Sequence, residues 1–110
     1  MDFFHTHISK KSIELATAAL GSTFVSAGKA AEQFEEKLSS NLGLTNPVSL
    51  NSGTSALHLA LLIAGVAADD EVIIPAQTFI ATGLAVLMCG AKPVFADIQY
   101  TTGNISPKSI

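Results

Sequence analysis

The sequence contains no arginine: all six of its cationic side chains are lysines. A bidentate guanidinium clamp on a phosphate or carboxylate therefore cannot come from this segment. Charge of either sign is scarce, at 14% of residues, while 48% are hydrophobic. A soluble domain of 110 residues with that balance has much surface meant to be covered by something else. Net charge is −3 with a pI near 5.4, which gives no case for a nucleic-acid partner. Cys89 is the single cysteine, and in its apolar run it reads as a small buried residue in a reducing compartment, hence a cytoplasmic protein. Met1-Asp2-Phe3-Phe4-His5 lacks the basic start and long apolar core of a leader. The apolar runs are too short and too interrupted to span a bilayer, so no membrane partner is expected. His5 and His7 have no carboxylate or cysteine company, and no metal is expected there. Two phosphate fingerprints are also missing. Without G-x-G-x-x-G a dinucleotide fold loses its signature, and without G-x-x-x-x-G-K-S/T a P-loop is excluded.

What the sequence does have is the stretch from Val48 to Leu62. Val48–Leu50 can lie extended, Asn51, Ser52 and Gly53 are turn formers, and the run from Ser55 is strongly helix-forming up to a stop at Gly65. A strand–turn–helix of this kind aims the free N–H groups of Gly53, Thr54 and Ser55 at one point. The helix dipole adds about 0.3–1 kcal/mol for an anion there. The Thr54 and Ser55 hydroxyls are further donors, and together these make an anion socket. The plainer alternative is that Ser52 or Thr54 is an N-cap and Gly53 only relieves a tight turn.

The remaining pattern places this stretch in an α/β unit. Ser9–Leu20 reads as a helix stopped by Gly21, with Ser9 or Ser12 near its cap. After a loop at 22–28, Lys29–Asn41 is a second, amphipathic helix closed by Gly43. Its apolar line is Ala30 or Ala31, Phe34 and Leu38, with Glu32, Glu35, Glu36 and Lys37 on the wet side. Asp69, Asp70 and Glu71 read as exposed turn residues rather than a metal site. Glu71–Pro75 is β-branched, as expected of a buried parallel strand. Ala76–Thr78 is a loop, Phe79–Cys89 a helix stopped by Gly90, and Val94–Ala96 a strand ending at Asp97. Ser106 and Pro107 open another helix as N-cap and N1. From Pro47 to Asp97 the expected order is strand–helix–strand–helix–strand, with parallel strands covered on both faces. Ligands of such sheets sit beyond the strands' carboxyl ends. The loops 51–55, 76–79 and from Asp97 onward arrive there, bringing the socket, Thr78 with Phe79, and a carboxylate. Each has a duller role open to it: Phe79 can staple its helix and Asp97 can cap a turn.

Three ordered blocks carry a family resemblance. Ser52-Gly53-Thr54-Ser55-Ala56-Leu57-His58-Leu59-Ala60-Leu61, then Asp70–Thr82, then Gly90–Ile98 closely resemble the sugar aminotransferases of the DegT/DnrJ/EryC1/StrS family. Phe34-Glu35, preceded by Gly28, resembles that family's N-terminal block. The resemblance implies a pyridoxal 5′-phosphate (PLP) enzyme of fold type I, acting on a nucleotide-linked keto-sugar with glutamate as amino donor. Carried over position by position, Gly53, Thr54 and Ser55 would hold the cofactor phosphate and Phe79 would lie over the pyridine ring. His58 reads as a packed core histidine, and Asp97 receives no role. Members of the family are usually homodimers whose sites draw on both subunits, which suits the low charge content.

The family's Schiff-base lysine, and the carboxylate that pairs with the pyridine nitrogen, belong to blocks not found in this sequence. Lys108 lies in the wrong block to be that lysine. The expectation is thus that residues 1–110 are the N-terminal part of the large PLP-binding domain and carry no catalytic residue themselves. Two alternatives stay open: a catalytically silent piece serving as an assembly module, and a PLP-dependent sugar dehydratase relative in which another residue replaces the lysine.

Overall fold

The computed structural model describes residues 5–23 and 25–110. The leader reading at Met1–Phe4, and Phe24 within the expected 22–28 loop, lie outside the described residues. The chain divides between Ser49 and Leu50 into two compact units.

The first unit holds two helices. α1 spans Lys10–Leu20 and is capped by Ser9, whose Oγ accepts the Ser12 N–H at 3.0 Å; Gly21 follows as its C-cap. α2 spans Lys29–Leu42 and ends on Gly43, which takes a left-handed φ of 67° and donates its N–H to the Ser39 carbonyl. Neither helix has a buried residue. The expected apolar line of α2 needs correction. The half-buried positions are Ala31, Glu35 and Leu38, while Phe34 is 54% exposed. Glu35 is not on the solvated face: its Oε1 accepts both the backbone N–H and the hydroxyl of Ser49, each at 2.7 Å. Ser49 thereby spends its backbone donor on a side chain rather than on a neighbouring strand. Residues 48–50 are accordingly not a strand, contrary to the sequence expectation; with no partner strand beside it among the described residues, an extended apolar run has no ladder to join.

The second unit, residues 50–110, runs α3 (Gly53–Ile63), β1 (Glu71–Pro75), α4 (Ile80–Met88), β2 (Lys92–Ala96) and a 3-10 turn at Pro107–Ser109. β1 and β2 pair in parallel with Ile73 opposite Val94. Both helices stop by the same device. At α3, Gly65 (φ 85°) bonds back to Leu62 and Val66 to Leu61; at α4, Gly90 (φ 76°) bonds to Leu87 and Ala91 to Val86. Each is a Schellman motif, in which the left-handed residue costs glycine nothing and the following apolar residue folds back onto the last turn. The folded-back residues feed the core: Ile74, Val86 and Ala91 are buried, with Leu61, Val66, Val72 and Cys89 packed against them.

The strands are parallel, as expected, but not covered on both faces. Ile74 is 4% exposed on the face that meets α4, whereas Ile73 and Val94 are 45% and 37% exposed on the other. Both strand prolines fit the ladder. Lys92 donates to the Asp70 carbonyl and Ala76 to the Ala96 carbonyl, so even-numbered residues of both strands bond across the pair. Pro75 and Pro93, being odd-numbered, have nitrogens that face away, where a missing N–H breaks no bond. Beyond β2, Ile98 and Ile105 form an antiparallel bridge. Ser106 occupies the N-cap position of the final turn as expected, but its side chain makes no capping bond.

Candidate functional site

Beside the N-terminus of α3 lies an open cleft of about 610 Å³, lined by Gly53, Thr54, Ala56, Leu57, Phe79, Ala81 and Thr82. It is built from the first turns of two helices, so the partial positive ends of both α3 and α4 border it. Two of the three expected phosphate-holding residues, and the expected ring, meet there. The third, Ser55, is not a lining residue.

The reason lies in the cap. Ser52 is the N-cap of α3: its Oγ accepts the Ser55 N–H at 3.1 Å and lies 3.0 Å from the Ser55 hydroxyl, while its carbonyl accepts the Ala56 N–H. An α-helix begins with unpaired N–H groups, and Ser52 takes the third. The N–H groups of Gly53 and Thr54, first and second in the helix, meet no acceptor among the described residues. The cap reading therefore holds for Ser52, and it takes one of the three donors expected to form the socket. Two of the three amides expected to form a socket thus remain without an acceptor among the described residues, with the half-buried Thr54 side chain beside them.

Phe79 is the N-cap residue of α4 and is 79% exposed. So exposed a ring is not stapled to its own helix. Thr78 and Thr82, on either side of it, join their hydroxyls at 2.9 Å. Thr82 was not singled out by the sequence reading; the signal was available in two threonines four apart around the aromatic residue.

Asp97 does not reach the cleft lining. Its backbone is pinned, the N–H by Ser109 Oγ at 2.8 Å and the carbonyl by the Ser106 N–H at 2.7 Å, and the residue is exposed. His58 is half-buried on α3 and outside the core cluster, so it is not the core histidine expected. The acidic trio behaves as a turn: Asp69 has φ 74° and the Asp70 carboxylate accepts the Ala67 N–H at 2.9 Å. Among the described residues no three His, Cys, Asp or Glu side chains group as metal ligands would, and no helix is long and apolar enough to cross a membrane.

Comparison with known proteins gives this geometry a context. The model of the DegT/DnrJ/EryC1/StrS aminotransferase family matches residues 6–110. The spore coat polysaccharide biosynthesis protein SpsC of Bacillus subtilis is 41% identical over 100 residues, covering 91% of this chain and 26% of the relative. The UDP-4-amino-4,6-dideoxy-N-acetyl-beta-L-altrosamine transaminase of Campylobacter jejuni is 39% identical over 110 residues, covering all of this chain and 29% of the relative. Among solved structures, a protein of Streptococcus pneumoniae described as a sugar aminotransferase superposes in its PMP form with a TM-score of 0.84 at 33% identity, covering 94% of this chain and 26% of that one. Its PLP form superposes with a TM-score of 0.83 at 32% identity, covering 94% and 28%. The chain thus spans between a quarter and three tenths of the length of these relatives.

Proposed function

Because the chain belongs to the DegT/DnrJ/EryC1/StrS aminotransferase family, we propose that its cleft holds pyridoxal 5′-phosphate in an enzyme that transfers an amino group from glutamate to a nucleotide-linked keto-sugar. The observation that carries this reading is the meeting of two unspent helix N-terminal amides with an exposed aromatic ring in one cleft. That donor set suits a flat ring bearing a phosphate. The likeness to a structure in PMP and PLP forms supports the cofactor, and the name of the Campylobacter relative supports a nucleotide-linked sugar.

Bound there, the cofactor supplies an electron-withdrawing ring that stabilises negative charge at the amino-acid carbon. The residues of this chain bind and orient. Gly53 and Thr54 would donate their N–H groups to the phosphate, Thr54 would add its hydroxyl, and the α3 dipole would favour the negative charge. Ser55, outside the cleft lining and with its N–H held by Ser52, would have only its hydroxyl to offer. The Phe79 ring would lie against the pyridine face and keep water from it. We place the lysine and the carboxylate that complete the site outside residues 1–110, which then form the N-terminal part of the large cofactor-binding domain. The apolar surface of the chain supports a homodimer as the working form.

The test is cofactor titration of the intact enzyme. Thr54→Val removes one hydrogen bond to a charged group, worth on the order of 1.5–3 kcal/mol, so affinity should fall roughly tenfold to a hundredfold. Phe79→Ala should weaken binding and Phe79→Tyr should leave it nearly unchanged. Unaltered affinity in Thr54→Val removes that residue from the site.

A further inference from the structure

The Phe79 ring is held by little. It is 79% exposed, so its position depends on the backbone that carries it. That backbone is thinly tied. Ala76 donates its N–H to Ala96, but the N–H groups of Gln77, Thr78 and Phe79 meet no acceptor among the described residues. Phe79 is the N-cap of α4 and has no side-chain oxygen with which to cap it. Among the described residues two ties join the loop and the helix: the Thr82 N–H donates to the Phe79 carbonyl at 3.0 Å, and the hydroxyls of Thr78 and Thr82 meet at 2.9 Å.

The two threonines are not equivalent. Thr78 is exposed, whereas Thr82 is half-buried. Thr82 lines the cleft and also the apolar cavity of about 250 Å³ formed with Leu61, Val72, Ile74 and Val86. A threonine inside a helix ordinarily sends its hydroxyl to the carbonyl four residues back; here the hydroxyl pairs with the side-chain hydroxyl four residues back. Thr82 is thus the fixed post and Thr78 the tethered end, with Phe79 between them.

We propose that the Thr78–Thr82 hydroxyl pair holds the Phe79 ring over the cleft, which makes Thr82 a positioning residue for the ring of the bound cofactor. This rests on the reading of the cleft given above.

A double-mutant cycle on the intact enzyme tests it, with pyridoxal phosphate affinity followed by absorbance and inorganic phosphate affinity by competition. Thr82→Val keeps the side-chain shape and removes the hydroxyl. It should weaken pyridoxal phosphate binding by roughly threefold to tenfold, the size of one neutral hydrogen bond, and leave inorganic phosphate binding unchanged. Thr82→Ser should restore the affinity. In a Phe79→Ala background, Thr82→Val should have no further effect, because the ring it positions is gone. Equal losses with and without the ring, or equal losses for inorganic phosphate, overturn the inference, as does failure of Thr82→Ser to restore binding. A loss on Phe79→Ala with none on Thr82→Val overturns this inference alone. No loss on Phe79→Ala overturns the reading of the cleft and this inference with it.

Discussion

Residues 5–49 and residues 50–110 are both helical, yet they are held in different ways. In the first unit neither helix buries a side chain, and order comes from polar ends: the Ser9 cap, the left-handed Gly43 and the Glu35–Ser49 link. In the second, caps deliver the chain into an apolar cluster around Ile74, Val86 and Ala91. Local hydrogen bonds define where a helix starts and stops, but burial sets how much a side chain matters to stability.

The strongest way to break this contrast is to empty each side in turn. Ile74→Ala should cost about 2–5 kcal/mol, as expected for a core isoleucine. Ile13→Ala, at a residue 56% exposed on α1, should stay within about 0.5 kcal/mol. Urea unfolding followed by circular dichroism measures both, and similar losses would abolish the distinction.

The left-handed glycines sharpen it. Gly43→Ala and Gly90→Ala share the backbone penalty of a positive φ, about 1–2 kcal/mol. A Cβ at Gly43 meets nothing within 4 Å, whereas at Gly90 it would lie 3.3 Å from the Ala68 Cβ. Gly90→Ala should therefore be the more destabilising of the two in the same unfolding experiment.

The serine caps differ in what they stand beside. Ser9→Ala and Ser52→Ala should each lose about 1 kcal/mol. Ser52→Ala also releases the Ser55 N–H beside the cleft, so phosphate affinity should not fall with stability. Parallel losses of stability and affinity would mean that Ser52 orders the socket rather than competing with it.

The smallest effect concerns Glu35. The Ser49 N–H, and then the Ser49 hydroxyl, hold its carboxyl below the ordinary value of 4.5. A carboxylate with a lowered folded-state value stabilises fully above its unfolded value and loses that contribution as pH falls through the folded one. Glu35→Gln should lower the melting temperature slightly at pH 7, and the gap should close in acid, below pH 4.5. A gap independent of pH would show that the link acts by shape rather than charge.

Much of this was legible in sequence because it is local. Ser9, Gly21, Gly43, Gly65 and Gly90 were readable as helix ends from residue type alone, since a cap or a left-handed stop depends on one residue's chemistry. Gly53, Thr54 and Phe79 were readable through the family blocks, and they line one cleft. What failed depended on distant partners. Val48–Leu50 has strand composition, but a strand exists only with a neighbour. Glu35 sits among charged residues, and nothing nearby in sequence announces Ser49, fourteen residues on. Ser55 is not a free donor, because one oxygen, that of Ser52, takes its N–H.

The placement of the two prolines gives the small sheet a direction of growth. On the outer side of β2 the outward-facing residues are Pro93 and Phe95, and only Phe95 has an N–H to offer; on the outer side of β1, Glu71 and Ile73 offer theirs in succession before Pro75 ends the run. A newcomer laid along β2 would meet a gap in mid-ladder, while one laid along β1 would find consecutive donors. The β2 rim is thus interrupted early, by Pro93, and the β1 rim only at its far end, by Pro75. The β1 rim remains the more usable template, so extension is steered to the side of Ile73.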